Sequence, residues 1–557
     1  MKKQKYIPSS DYDVVNYENF HELLKGLYDN YSERTAIRFR KSGIETSITY
    51  DGLIREISDL YYYYKKNDIQ NSNIGILSEN RYEYVTIYLA SVFHNVIAPI
   101  DRELTDDDLA SLIKKFDIKV IFYTDKTKGK LDTLSGKDTL KLINIDASYQ
   151  TITQDHYAPD LFLKDTEQTD SHKFSVLAFT SGTTGAIKGA MLSQLNIVSN
   201  LRAPLLYMHL ESPMLQLLPM NHMYGFHPDL LSPLYNGDTV CINMALKDIA
   251  KDFKYYDPYY IGVVPVMLEG IYKNIIREAK NRKKEKLLYR LIKISNRLRK
   301  CHIDIRRPLF QNLINKRLRI IVCGGAFLDP VYIDRFDEIG ITVLNGYGMT
   351  ECAPLISVNR DRNNIRGSAG AVIQGTKVRI ASDGEILVKG QNVMSGYYNE
   401  EDETALSFTE DGYYKTGDLG YLEDDILYIT GRKKNLIILK NGKNFSPETV
   451  EKELLRLPYV KECLVTAENR NSIDIIAAKI LLANKSDNNG NAGKVCHDGE
   501  AGQLKNDIEA INRTLPSYMR IDDYEIVSGE FEKTSSNKII RSKYTVPMEG
   551  TINQDGK

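Results

Sequence analysis

The sequence has no surplus of either charge, few cysteines and no long apolar run. Its 73 Lys and Arg against 74 Asp and Glu leave a formal net charge of −1. That balance argues against a surface shaped broadly for nucleic acid, so no nucleic-acid partner is expected. The six cysteines, Cys241, Cys301, Cys323, Cys352, Cys463 and Cys496, are scattered and form no CxxC pair. Neither a disulfide framework nor a zinc site is indicated, and a reducing compartment is the simplest setting. The most apolar long segment, Tyr84 to Ile100, is interrupted by Ser91, His94, Asn95 and Pro99. It reads as a buried helix running into a strand, not as a membrane span. The opening MKKQKYIPSSDYDVV carries no apolar stretch behind its basic residues, so it does not read as a signal peptide. A cytoplasmic protein is expected.

What is present is length and alternation. A chain of 557 residues exceeds one typical domain several-fold. Short apolar runs end in Gly, Pro, Ser or Thr: NIGILS (73–78), KVIFYT (119–124), SVLAFTSG (175–182), MLQLLP (214–219), YIGVVP (260–265) and RIIVCGG (319–325). They do not alternate in polarity, as expected of strands buried on both faces. Helical patterns such as 80–90 and 106–116 lie between them. The fold class is therefore α/β: a large N-terminal domain of parallel or mixed sheets covered by helices. Ligands in such sheets bind beyond the carboxyl ends of the strands.

The character changes near residue 420. LGYLEDDILYITGR reads as two strands turning at Asp424–Asp425. NLIILKNGKNFSPETVEKELL then gives a strand, a Gly loop and a helix, with Ser446 at the N-cap and Pro447 at the first helical position. The expected division is a large domain over 1–432, a small mobile α+β domain over 433–545 and a flexible tail over 546–557. Residues 484–503, polar and rich in Gly and Asn, read as a surface loop.

One region is locally basic. Residues 273–307 hold fourteen Lys and Arg against three Asp and Glu. Leu287, Leu291, Ile294 and Leu298 recur there at helical spacing. They read as the core-packed face of a solvated helix, or as a face that meets anionic lipid or an acidic partner.

The strongest local signal is Thr180-Ser181-Gly182-Thr183-Thr184-Gly185-Ala186-Ile187-Lys188-Gly189. Four hydroxyls, three glycines and a lysine in ten residues can surround a phosphate chain. The glycines admit close backbone N–H groups, the hydroxyls donate, and Lys188 offsets charge. The spacing is not that of a Walker A motif.

TSGTTGxxKG resembles the phosphate loop of the adenylate-forming superfamily, which includes acyl-CoA synthetases, peptide-synthetase adenylation domains and luciferases. Further segments resemble that family in its own order. They are Leu218-Pro219-Met220-Asn221-His222, Gly324-Gly325-Ala326, Tyr347-Gly348-Met349-Thr350-Glu351, Thr416-Gly417-Asp418, Gly431-Arg432 and Lys533–Arg541 (KTSSNKIIR). Seven ordered segments over about 360 residues make the resemblance specific.

The resemblance implies roles. Lys538 would be the cation that lets an anionic carboxylate attack the anionic α-phosphate of ATP. Two unit charges 4 Å apart repel by about 4 kcal/mol at an effective dielectric of 20. Glu351 would hold Mg²⁺ and Thr350 would donate to the α-phosphate. Tyr347, Gly348 and Gly324–Ala326 would border adenine, while Asp418 and Arg432 would meet the ribose hydroxyls. His222 would stand beside the acyl site, with Met223, Tyr224, Val264 and Gly346 lining the acyl pocket. Lys434 would be the hinge, and Gly442 would lie on the loop that builds the thiol tunnel.

The long basic insert before Gly324, with GYGMTECAPLISVNR and GRKKNLIILKNGKNFSPETVE, looks most like the long-chain fatty acyl-CoA synthetase branch. The absence of Trp means that a tryptophan-gated tunnel cannot operate here. Departures from the family pattern are Ile187 in the phosphate loop, Gln194 where a His often follows it, and Phe327 after the GGA segment. Glu532 and Asn537 depart from the terminal motif, and Glu532 adds a negative charge near Lys538. The expected reaction is ATP-dependent activation of a medium- or long-chain fatty acid, then thioester formation with CoA. An acyl carrier protein, through its phosphopantetheine arm, is the alternative acceptor. A non-catalytic adenylate-binding homologue is the alternative class. Oligomeric state is open.

Overall fold

In a computed structural model, the structure describes residues 12–41, 43–134, 140–181, 187–311, 315–439, 443–470, 473–483, 498–533 and 539–544. The chain divides into two units. The first runs to Arg379 and takes in Leu387–Lys415 and Leu422–Tyr428. The second comprises Ile380–Ile386, Thr416–Tyr421 and the chain from Ile429.

Two sheets dominate the first unit. In one, the strands Thr342–Gly348, Ile320–Cys323, Tyr260–Val263, Met214–Gln216, Val240–Ile242 and Thr35–Lys41 lie side by side and parallel. In the other, Val96–Pro99, Asn73–Leu77, Ile118–Tyr123, Lys141–Asn144 and Phe174–Ser181 run parallel. Ile187–Ser193 and Gly396–Tyr397 extend this second sheet antiparallel. All six apolar runs picked out in the sequence contain strands. The helix–strand reading of Tyr84–Ile100 also holds, as the helix Tyr82–Ser91 leads into Val96–Pro99. Its nine residues Tyr82 and Tyr84–Ser91 are all buried, which explains the continuous apolarity without a membrane. No described helix is long and apolar enough to cross one.

The second unit has its own core. Val460–Arg470 and Ile473–Leu482 pair antiparallel, and Asp523–Ile526 joins parallel to the latter. Val450 and Leu454 from the helix Pro447–Leu455, with Leu504 and Ile508 from Asp498–Thr514, pack on that sheet. The α+β expectation fits this core.

Two local readings need correction, and a third, the N-cap Ser446, holds in position but not in its side-chain bond. The helix Glu285–Arg299 turns Leu288, Ile292 and Ser295 inward, while Leu287 is 49% and Ile294 40% exposed. The expected stripe is therefore split: Leu287 and Ile294 lie on the outer face, while Leu291 is partly buried against the core. Two stripes, offset by one residue, compete in the sequence, and periodicity alone cannot choose between them. Ser446 stands at the N-cap of Pro447–Leu455, but its hydroxyl donates to Glu448 rather than accepting a backbone N–H. Residues 498–503, expected in a loop, begin the helix Asp498–Thr514; 484–497 and the tail beyond Tyr544 lie outside the described residues.

Candidate functional site

The parallel strands of the first sheet deliver the candidate residues from their carboxyl ends. Tyr260–Val263 leads to Val264, Ile320–Cys323 to Gly324 and Gly325, and Thr342–Gly348 contains Gly346 and Tyr347. Tyr224 lies across these ends: its hydroxyl donates to the carbonyls of Val263 (3.2 Å) and Val322 (3.0 Å). A Cβ on Gly324 would stand 3.2 Å from the Gly346 carbonyl and 3.5 Å from the Tyr224 ring. A Cβ on Gly325 would stand 3.6 Å from Val264. Tyr224, Val264, Gly324, Gly325 and Gly346 are thus one cluster. The expected adenine segment and acyl pocket meet there, where absent side chains keep the backbone open. Ala326 follows on the exposed rim, and Met223 is buried at the start of the helix Met223–Phe226.

His222 caps that short helix through its backbone: its carbonyl accepts the Phe226 N–H at 3.1 Å. Burial holds its imidazole below the usual histidine range, and the charge of Asp101 pulls the other way. It is therefore a neutral donor or acceptor near pH 7. Asn80 fixes the segment before it, donating to the Leu218 carbonyl and accepting the Met220 N–H, both at 2.9 Å.

Thr350 and Glu351 open a tight 3-10 turn, Thr350–Cys352, that follows Gly348 and Met349. Gly348 leaves the turn its room, because a Cβ there would lie 1.9 Å from the Pro354 carbonyl oxygen. That carbonyl accepts the Met349 N–H at 2.8 Å. Asn392 and Asn200 clamp the far side of the turn through the Leu355 carbonyl, at 2.9 and 2.8 Å. Glu351 is buried, and its Oε1 accepts the Tyr397 hydroxyl at 2.9 Å. Burial and the charge of Glu351 drive the Tyr397 phenol well above its usual range, so it remains a donor. One buried carboxylate is the kind of group that holds Mg²⁺ when phosphate oxygens and water complete the shell. No group of three or more His, Cys, Asp or Glu suited to a metal occurs among the described residues. The buried Glu351 carboxylate fits an ion whose shell is completed by phosphate oxygens and water.

The phosphate segment forms a hairpin. Thr180 pairs with Lys188 and Ser181 with Ile187 across it. Gly182, Thr183, Thr184 and Gly185 lie outside the described residues. Ile187, where the family has Pro, sits in the antiparallel ladder, a position that suits a residue with a backbone N–H. Lys188 pairs with Glu403 and stands over the Tyr397 ring at 5.2 Å. Gln194 is structural: it accepts the Phe20 N–H at 2.9 Å and donates to the Val92 carbonyl at 2.8 Å.

In the second unit, Arg432 Nε lies 2.9 Å from Asp418 Oδ1, with Asp418 nearly buried. Gly417 precedes it at φ +69, a left-handed turn that brings the Asp418 N–H onto the Thr416 hydroxyl at 3.1 Å. Lys434 is exposed in the turn Lys433–Asn435. Lys538 and Gly442 lie outside the described residues. Lys533 and Ile539 pair as an antiparallel bridge. Glu532 is paired with Lys543.

Tyr397, Glu403 and Asn80 were not singled out from the sequence. The signal for the first two was the run Gly396–Thr404 (GYYNEEDET), whose four consecutive carboxylates precede the TGD segment.

The family model described as AMP-binding enzyme matches residues 28–398, and that described as AMP-binding enzyme C-terminal domain matches 434–554. The chain is 28% identical over 315 residues to the long-chain-fatty-acid–CoA ligase FadD15 of Mycobacterium tuberculosis, covering 53% of this chain and 52% of that one. It is 27% identical over 451 residues to the long-chain-fatty-acid–CoA ligase 5 of Rattus norvegicus, covering 72% and 66%. It is 26% identical over 385 residues to the chloroplastic long-chain-fatty-acid–[acyl-carrier-protein] ligase AEE15 of Arabidopsis thaliana, covering 57% and 52%. The chain thus spans about half the length of the mycobacterial and plant relatives. Its fold matches ATP-bound MatB from Rhodopseudomonas palustris with a TM-score of 0.74 at 20% identity, over 94% of this chain and 98% of that one. It matches the anthranilate CoA ligase AuaEII equally, with a TM-score of 0.74 at 16% identity over 95% and 97%. With the glycine-lined strand ends, the Thr350–Glu351 turn and the Lys188 hairpin built as described, the chain belongs to the AMP-binding enzyme family of the adenylate-forming superfamily.

Proposed function

We propose that the chain activates a medium- or long-chain fatty acid with ATP and transfers the acyl group to the thiol of CoA. In the first step a carboxylate oxygen attacks the α-phosphorus, the bond to the β-phosphate oxygen breaks, and pyrophosphate leaves. In the second step the thiol sulfur attacks the acyl carbonyl, AMP leaves with the carboxylate oxygen, and the thiol proton goes to solvent. The acyl phosphate is already activated and a few per cent of a free thiol is thiolate at pH 7, so no nucleophilic triad is needed.

The residues divide the work. Thr350 donates to the α-phosphate, and Lys188 offsets the polyphosphate charge. Glu351 would hold the Mg²⁺, which supplies charge neutralisation on the phosphate oxygens. Asp418 and Arg432 meet the ribose, and Lys538 bridges the two anions. The acid lies against Tyr224, Val264 and Gly346, with His222 beside it. The observation that carries this reading is the linkage through Tyr397. It donates to Glu351 and underlies Lys188, so the expected metal carboxylate and phosphate cation share one support.

A separate acyl carrier protein is the second acceptor, favoured by the excess of cations in 273–307 and by the plant relative's name. The same region favours peripheral contact with anionic lipid, since its cations flank the outward stripe containing Leu287 and Ile294. The test is ATP–pyrophosphate exchange across acids of increasing chain length, followed by addition of CoA or carrier protein. Exchange and transfer to CoA are expected. Exchange with transfer only to the carrier moves the acceptor, and exchange with no acid contradicts the reading.

A further inference from the structure

The segment Gly396–Ser407 crosses the root of the phosphate hairpin. Tyr397 pairs with Ala190, and the Tyr398 N–H donates to the Gly189 carbonyl at 2.8 Å. The short helix Glu401–Ser407 is folded back onto this strand by Thr404, whose hydroxyl accepts the Tyr397 N–H at 2.9 Å and donates to the Glu400 carbonyl at 2.8 Å. Gly396 makes the fold possible, because a Cβ there would stand 2.6 Å from the Thr404 methyl. Thr404 and the strand thereby aim Glu403 at Lys188, with which it is paired. Three residues before Glu403, Glu400 meets Lys115 at 2.6 Å, and Lys115 also donates to the Ile187 carbonyl at 2.7 Å. The Lys188 side chain is 13% exposed, so it needs a counter-charge; that of Glu403 is 43% exposed, so it can leave toward water.

We infer that Glu403 is a built-in counter-ion of Lys188, displaced by the polyphosphate of an incoming nucleotide, so that this carboxylate sets the affinity for ATP. The inference rests on the nucleotide reading of the site and adds a residue to it. Before ATP arrives, the pair keeps a largely buried ammonium neutralised. When ATP arrives, the phosphates must supply that charge, and Glu403 must turn away from them. Glu403 touches no reacting atom; it acts through Lys188 and is a positioning residue. A half-exposed ion pair of this kind is worth up to about a five-fold change in binding.

The experiment is titration of the full-length chain with MgATP, pyrophosphate and adenosine by calorimetry, for wild type and Glu403→Gln. The expected result is tighter binding of MgATP and pyrophosphate by about three- to five-fold, unchanged binding of adenosine, and a fall confined to KM for ATP. Glu403→Asp, which keeps the charge but shortens its reach, is expected to give a smaller gain and serves if the Gln variant fails to fold. Wild type that binds no MgATP overturns the nucleotide reading and this inference with it. Wild type that binds MgATP, with variants that bind it equally or more weakly, overturns the inference alone. An equal shift for adenosine and ATP also overturns it, since Lys188 has no charge to meet on adenosine.

Discussion

Replacing Gly348 by Ala sets a methyl carbon 1.9 Å from the Pro354 carbonyl oxygen and 2.8 Å from its carbon. Contact between such atoms begins above 3 Å, so one chain must retreat by roughly 1 Å. The retreating group is an anchor of the site: the same carbonyl accepts the Met349 N–H, and Thr350 and Glu351 follow at once. Overpacking of this kind costs about 1–3 kcal/mol, which a large α/β unit survives. A displacement of about 1 Å at groups that position a reacting phosphate costs about a hundred-fold in rate. Gly348→Ala is therefore expected to fold, with unchanged circular dichroism and a modestly lower Tm, and to lose about a hundred-fold in acid-dependent ATP–pyrophosphate exchange. Gly270→Ala is the control. Gly270 lies inside the helix Pro265–Asn281 with nothing within 4 Å of the new methyl, so the same change there is expected to stabilise by about 0.5–1 kcal/mol. Exchange at the wild-type rate in Gly348→Ala would refute the assignment of the Thr350–Glu351 turn to the reaction.

Two further predictions concern groups with other tasks. Lys538→Ala should lower adenylation by about 10²–10³-fold, by analogy with removing one preorganised contact to developing charge; unchanged exchange contradicts its role. Asp229 is fully buried; burial pushes its carboxyl up to about 8, against the pull of the nearby Leu217, Gly262 and Leu218 amides. The folded state therefore keeps a proton that the unfolded state releases above about pH 4, so stability is lost as pH rises from there toward 8. Asp229→Asn, which never ionises, is expected to gain stability relative to wild type between pH 5 and pH 8 in thermal melts. A pH-independent difference would mean that Asp229 is not held protonated.

The strands and turns were legible because each has a local cause. Runs buried on both faces, such as Ile320–Cys323, carry unbroken apolarity. The turn at Asp424–Asp425 shows in the residue types best able to take positive φ, observed at +50 and +61. What escaped depends on neighbours distant in sequence. Whether Leu287 or Leu288 faces inward is decided by what the helix packs against, since either stripe satisfies the period. Glu403 lies 215 residues from Lys188, and an acidic run on a helix start reads alone as a solvated face. Gly348 was read as a border of adenine; its steric necessity appears only when Pro354 is in place.

The most direct test of the account uses a fatty acid labelled with ¹⁸O in its carboxylate, incubated with ATP, Mg²⁺ and CoA. Attack of the carboxylate on the α-phosphorus, followed by thiol attack on the carbonyl, places one ¹⁸O in AMP and none in pyrophosphate. Label recovered in inorganic phosphate or pyrophosphate, or thioester formed with unlabelled AMP, would contradict activation through an acyl-adenylate.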